Sequence, residues 1–90
     1  MHMSTENVEI ISAGQCRAGR ALLDITQPDL ASRAGLGLST IVDFERARRP
    51  VSSAAIRAIC TALQTAGIEF IDENGGGAGV RFRNQQPKNE

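Results

Sequence analysis

The most reactive side chains in this chain belong to its two cysteines, Cys16 and Cys60. They are far apart in sequence, and neither has a second cysteine or a histidine at the spacing that metal ligands adopt. No candidate base lies near either thiol in sequence, and no two carboxylates share a helical face. We assign no role to the one histidine, His2. The sequence therefore predicts no catalytic residue, no metal site and no cofactor, and we do not expect an enzyme.

Arginines in the middle of the chain are the remaining groups that could bind a ligand. The whole chain has a net charge of zero, but residues 10–60 contain seven arginines against four carboxylates, a net charge of +3. Three of these arginines, Arg46, Arg48 and Arg49, follow one short amphipathic segment. A mildly basic middle between mildly acidic flanks is compatible with nucleic acid, although charge alone does not establish it.

Four helices are predicted to position these groups, because apolar residues recur at helical spacing between capping residues. The first helix follows the N-cap Ser12 and runs to about Leu23. The second follows Thr26 and is ended by Gly35, where a left-handed backbone is expected. The third runs from about Leu38 to Arg46, and the fourth begins after Ser52 or Ser53 and is ended by Gly67.

From Ile68 onward the apolar period changes from that of a helix to that of a strand. The segments IEFID and VRFR alternate apolar and charged residues, as half-buried strands do. The GGGAG between them lacks the Lys-Ser/Thr and the following helix of a phosphate-binding loop, so we interpret it as part of a loose hairpin turn. Opposite charges could pair across this hairpin; they are Glu69 and Asp72 on one strand and Arg81 and Arg83 on the other.

The segment QPDLASRAGLGLSTIVDFER, residues 27–46, contains two helical patterns on either side of a three-residue break. Ala31 is small where the two backbones would approach, and Gly35 supplies the positive φ of a sharp corner. With Ile41 and Phe44 facing inward, the opposite face of the second helix is left for a partner. That outer face comprises Gly37, Leu38, Ser39, Val42 and Asp43. Such side chains could touch base edges while the flanking arginines hold phosphates.

This segment resembles the helix-turn-helix of the Cro/C1-type (XRE) family of phage-repressor-like transcription regulators, and the similarity covers roughly residues 15–68. The matching residues are Gln27, Leu30, Ala31, Ala34, Gly35, Ser39, Thr40, Ile41, Phe44, Glu45 and Arg46. The resemblance implies a mainly α fold, a small lambda-repressor-like helical bundle, to which the short C-terminal β-hairpin is added. It also implies double-stranded DNA as the partner, bound by a homodimer whose third helices enter the major groove of a two-fold operator.

The resemblance also implies roles for individual residues. Gln27 would lie beside a phosphate at the start of the second helix, where the helix dipole favours an anion. Thr40 would face a phosphate, and Arg46, Arg48 and Arg49 would follow the DNA backbone. Leu38, Ser39, Val42 and Asp43 would read base edges. Arg20 and Glu45 would form a structural pair that ties the first helix to the third.

Four residues depart from the family pattern. Gly37 replaces the usual capping serine or threonine, and Ala47 replaces the usual glycine. Leu38 stands where a polar base reader is common, so it could pack on a thymine methyl group or serve as an apolar contact for a protein. Asp43 can accept a hydrogen bond from cytosine N4 but repels phosphate.

We divide the chain into a flexible N-terminal arm (1–11), a helix-turn-helix DNA-binding domain (12–67), a hairpin that could form the dimer (68–83) and a disordered tail (84–90). The leading hypothesis is a cytoplasmic, sequence-specific transcription regulator with no membrane association. Repression of its own gene is compatible with this hypothesis. The alternative is a protein-interaction module on the same scaffold, such as an antitoxin or anti-activator. The zero net charge and Asp43 favour this protein partner, whereas the three arginines after the third helix oppose it.

Overall fold

Four short helices followed by one antiparallel hairpin make up the computed structural model, which describes residues 10–84. The helices are α1 (Ala13–Leu23), α2 (Gln27–Ala34), α3 (Leu38–Glu45) and α4 (Ser53–Thr65), and the strands are β1 (Ile68–Ile71) and β2 (Gly79–Phe82). The predicted fold class, mainly α with a C-terminal hairpin, is therefore confirmed. Most of the predicted arm and tail, residues 1–9 and 85–90, lies outside the described residues.

Side-chain caps explain where three of the four helices begin. The Ser12 hydroxyl accepts a hydrogen bond from the Gln15 backbone N–H, and the Gln15 side chain accepts one from the Ser12 N–H, which completes a capping box. Thr26 and Ser52 cap α2 and α4 through one hydroxyl each. Gly37 gives α3 no side-chain cap, so the start of α3 depends on its packing against the rest of the bundle.

The corner between α2 and α3 has the geometry that its sequence predicts. Gly35 adopts φ +70°, a left-handed conformation that costs glycine little, and its backbone N–H bonds back to Ser32. Ala31 is only 4 % exposed, and its carbonyl accepts a hydrogen bond from the N–H of Leu36. A small residue under a left-handed glycine thus lets two eight-residue helices pack with almost no connecting loop.

The core joins all four helices to the hairpin. Its fully buried large side chains are Leu30, Ile41, Ile59, Leu63 and Ile68, and Cys16 and Cys60 lie among them. Ile11, which the sequence placed in the N-terminal arm, is also buried and belongs to the core.

The hairpin packs against α1 and α4. The Gln15 side chain donates to the carbonyl oxygens of Ile71 and Gly79, at 3.4 and 3.0 Å, and so ties the turn end of the hairpin to α1. Glu69 lies opposite Arg81 in the strand register and forms the cross-strand ion pair that the charge pattern predicts. Arg83 instead donates to the backbone carbonyl of Gln64. Since Phe70 and Ile68 are core residues, the hairpin is part of the folded unit.

Gly19 lies inside α1 where the helix packs against α4 and β1. A Cβ atom there would meet Leu63 at 3.5 Å and Ile68 at 3.8 Å, which are ordinary van der Waals distances. We therefore expect Gly19→Ala to raise the free energy of unfolding by about 1 kcal/mol, because alanine is the better helix former. Urea denaturation of the two proteins measures this. A loss of stability would show that the helices need glycine for close approach.

Candidate nucleic-acid interface

The outer face at the start of α3 is exposed to solvent. Ile41 is fully buried on the inner side, whereas Leu38 is 46 % exposed and Ser39 is also exposed. Val42 and Thr40 are half-buried on the flanks of this face. Because the hairpin lies against α1 and α4, it leaves the start of α3 open to solvent. Leu38 and Ser39 are therefore accessible to a ligand from this side.

Asp43 was predicted on this outer face beside Val42, but its side chain is not freely exposed there, because the loop after α3 covers it. Asp43 as a whole is only 7 % exposed. The Oδ2 atom accepts a hydrogen bond from Arg49 Nε at 2.8 Å, and Oδ1 lies 3.8 Å from Arg48 Nη1. The loop after α3 folds back over the helix, so its arginines cover the carboxylate that helical periodicity alone placed outside.

The loop that covers Asp43 turns at Ala47, which adopts φ +51°. Such a left-handed conformation is uncommon for a residue with a Cβ atom and explains why glycine is usual at this position in the pattern that the sequence resembles. The turn brings Arg48 and Arg49 back over α3, and both remain exposed, with side chains 55 % and 70 % accessible. Arg46, the C-cap of α3, is exposed as well. Three arginines thus surround the C-terminal end of the candidate interface.

A groove of about 310 Å³ connects the α3 surface to one of these arginines, Arg49. Its walls include Ser39, Thr40 and Asp43 of α3, Arg49 of the loop and Ser52 at the start of α4. The structure therefore brings four of the predicted DNA-binding residues to one groove. Arg48 and Arg49 also border a second, more apolar groove of about 590 Å³ beside Phe44.

Gln27 lies apart from that groove, at the junction of α2 with α1 and α3. Its Nε2 donates to Glu45 Oε1 at 2.9 Å, and its side chain is half-buried. An amide nitrogen carries two hydrogens, so one remains for another acceptor. The side chain predicted to contact phosphate thus also helps to join the helices, a role that the sequence pattern did not reveal.

Glu45 is the centre of the polar network that holds α3 in place. Its carboxylate is 2 % exposed and accepts two hydrogen bonds from Arg20, at 2.7 and 2.8 Å. Cys16 Sγ donates to the same carboxylate at 3.1 Å, and Arg17 donates to the Glu45 backbone carbonyl. The two residues that the family pattern pairs, Arg20 and Glu45, are therefore in direct contact, with additional donors from α1.

The charge state of this network follows from competing effects. Burial by itself would raise the pKa of Glu45, but hydrogen bonds from Arg20, Cys16 and Gln27 outweigh it and hold the pKa below its ordinary value. Burial, reinforced by the neighbouring carboxylate of Glu45, raises the pKa of the Cys16 thiol well above its ordinary value. Cys16 therefore remains a neutral thiol, and it acts as a hydrogen-bond donor to an ionised carboxylate.

Because the pKa of Glu45 is lower in the folded protein than in the unfolded chain, ionised Glu45 stabilises the fold above the unfolded pKa. This stabilisation is lost as the pH falls through the folded pKa. We expect the difference in unfolding free energy between the wild type and Glu45→Gln to be constant near neutral pH and to shrink below about pH 4. Urea denaturation between pH 3 and 7 measures it. A difference that stays constant to pH 3 would contradict the assignment.

A tight corner, a polar network behind α3 and an exposed outer face flanked by arginines together define a helix-turn-helix protein. The family model for the helix-turn-helix domain matches residues 14–70, well over half of the chain. The chain therefore belongs to this family of DNA-binding domains. No curated protein matches the chain.

Two further observations concern the described residues only. The longest helix, α4, has 13 residues, and no helix within residues 10–84 reaches the roughly 20 apolar residues needed to cross a bilayer. In the same range, His, Cys, Asp and Glu side chains form no group of three that could hold a metal ion.

Proposed function

We propose that the protein is a sequence-specific transcription regulator of the Cro/C1 (XRE) type that inserts α3 into the major groove of DNA. The observation that carries this proposal is the open outer face of α3 with arginines around its C-terminal end. A major groove about 12 Å wide admits one α-helix with its side chains. In that position the arginines would lie over the sugar–phosphate backbone on the flank of the groove.

The base contacts in this proposal come from the exposed start of α3. Leu38 and Val42 offer aliphatic surface, which suits the methyl group of thymine, and the Ser39 hydroxyl can donate to or accept from a base edge. Gly37 lets the backbone approach closely. Since Arg49 covers Asp43, the exposed face presents no carboxylate that could accept a hydrogen bond from cytosine. A DNA duplex in which uracil replaces thymine lacks these methyl groups. If the protein bound it as tightly as the thymine duplex, the proposed Leu38 contact would be refuted.

The phosphate contacts come from the groups around that face. Arg46, Arg48 and Arg49 supply positive charge, and Thr40 supplies a hydroxyl at the groove that it shares with Arg49. Gln27 reaches a phosphate at the start of α2 with the amide hydrogen that Glu45 does not use. These contacts are independent of base sequence and make binding sensitive to salt.

The regulator is proposed to bind as a homodimer on a two-fold operator, with half-sites about 10 base pairs apart. The hairpin offers the edges of a two-stranded sheet, which a second copy could extend. Deleting it would not test this role, because Ile68 and Phe70 belong to the core of the subunit. The stoichiometry of the DNA complex, measured by light scattering, tests it directly. One chain on each bound duplex would refute the dimer.

Fluorescence anisotropy with DNA from just upstream of the protein's own gene, at two salt concentrations, tests the function as a whole. We expect Ser39→Glu to abolish binding, because it places a bulky negative charge on the face that enters the groove. Thr61→Glu is the matched control, since Thr61 is exposed on α4 and the same charge is added there. Equal binding by both variants would show that α3 does not face the DNA.

A further inference from the structure

We propose that Asp43 is a positioning residue for the phosphate contact made by Arg49, rather than a reader of bases. This inference rests on the proposed DNA binding and adds to it a residue whose side chain need not touch the duplex. The carboxylate would fix the direction in which the guanidinium group points, so that Arg49 meets a phosphate already in place.

The geometry of the pair assigns the two side chains different roles. The Asp43 side chain is 10 % exposed and lies beneath that of Arg49, which is 70 % exposed. The hydrogen bond uses Arg49 Nε alone, at 2.8 Å from Oδ2. A guanidinium group has five N–H donors, so the four on its terminal nitrogens remain for an acceptor outside the protein. This arrangement leaves the forked end of Arg49 suited to two phosphate oxygens.

The surroundings of the pair suit an anion that arrives from the α3 side. Asp43 and Arg49 line the same groove as three hydroxyl-bearing residues, Ser39, Thr40 and Ser52. Arg48 adds a second positive charge, and its Nη1 lies 3.8 Å from Asp43 Oδ1. Together the one carboxylate and the two guanidinium groups have a net charge of +1. The site thus keeps an excess of positive charge at its exposed end.

A buried carboxylate beside an arginine could instead compete with DNA for the guanidinium group. The geometry decides between this competition and the positioning effect. Because Arg49 lies between Asp43 and solvent, a phosphate on its terminal nitrogens would be nearer to the guanidinium charge than to the carboxylate. Water at this exposed surface weakens the more distant repulsion. A guanidinium group that is already held in one direction also loses less conformational freedom when it binds. Positioning should therefore outweigh competition.

A double-mutant cycle on the full-length protein tests the proposal. Dissociation constants are measured on one duplex for the wild type, Asp43→Ala, Arg49→Ala and the double variant, over a range of salt concentrations. We expect each single variant to bind roughly tenfold more weakly, and the double variant to bind no more weakly than Arg49→Ala alone. The slope of log affinity against log salt should fall by about 0.9 for each phosphate that is no longer neutralised, in Asp43→Ala as in Arg49→Ala.

Two further variants separate positioning from charge and from folding. Asp43→Asn keeps an oxygen that can accept from Arg49 Nε, so its affinity should lie between those of Asp43→Ala and the wild type. Asp29→Ala removes a carboxylate from the exposed Arg33 ion pair on α2 and changes the net charge equally, and it should not weaken binding. Urea denaturation of each variant shows whether it is folded, and if Asp43→Ala is not, the cycle is measured with Asp43→Asn.

If Asp43→Ala bound DNA as tightly as the wild type or more tightly, the positioning role would be overturned. It would also be overturned if the loss of binding free energy in the double variant equalled the sum of the two single losses. Either result would leave the proposed DNA binding standing, because the wild type would still bind. A wild type with no affinity for any duplex would overturn both proposals, so the two failures are distinguishable.

Discussion

Replacing Arg20 with alanine is expected to lower the free energy of unfolding by about 3–5 kcal/mol. The carboxylate of Glu45 is 2 % exposed, and two of its hydrogen bonds come from Arg20. Without Arg20, Cys16 and Gln27 would remain as neutral donors to a buried charge. A small domain has a total stability of about 5–15 kcal/mol, so this one change would remove a large part of it. Urea denaturation at neutral pH measures the loss.

The matched control for this prediction is Arg81→Ala, which also removes an arginine from an ion pair with a glutamate. The Arg81 and Glu69 side chains are 63 % and 42 % exposed, so water replaces the missing partner and the expected cost is below about 1 kcal/mol. If Arg20→Ala costs no more than Arg81→Ala, the network around Glu45 does not hold α3 in place. The comparison also shows whether α3 depends on this network, since Gly37 gives it no side-chain cap.

The double variant Arg48→Ala/Arg49→Ala is expected to weaken DNA binding on the order of 100-fold or more, to a similar extent on every sequence. Each arginine is proposed to neutralise one phosphate, so in a dimer four phosphates would be left without a guanidinium group. The slope of log affinity against log salt should therefore fall by about 3.6, or about 0.9 for each phosphate. Fluorescence anisotropy on an operator and on an unrelated duplex, at several salt concentrations, provides both measurements. A loss confined to the operator would indicate that these arginines read bases instead.

Arg33→Ala/Arg57→Ala is the matched control for the charge removed. These two arginines line a groove between α2 and α4 that contains none of the residues on the α3 outer face. The control lowers the net charge by the same amount, so under the proposal it should retain most of the affinity. Equal losses in the two double variants would show that affinity depends on overall charge and not on the position of the loop arginines.

The sequence by itself determined the features that depend on neighbouring residues. Hydroxyl caps at Ser12, Thr26 and Ser52 and the left-handed Gly35 set where helices begin or end, because these effects act within one helical turn. Apolar spacing then identified the inner face of α3, and alternation identified the hairpin. The end of α3 differed from the prediction by only one residue, Glu45 instead of Arg46.

Only the tertiary structure decided which polar side chains form contacts within the protein and which remain available to a partner. Periodicity placed Asp43 outside, but a loop that returns at Ala47 lays Arg49 over it. Neither the network that joins Cys16 and Gln27 to Glu45 nor the bonds from Gln15 to the hairpin could be read from spacing. A side chain's partner depends on where distant segments pass, and helical periodicity describes only the helix to which the side chain belongs. The sequence thus predicted the helix that could enter a groove, and the packing decided which of its residues remain to make contact.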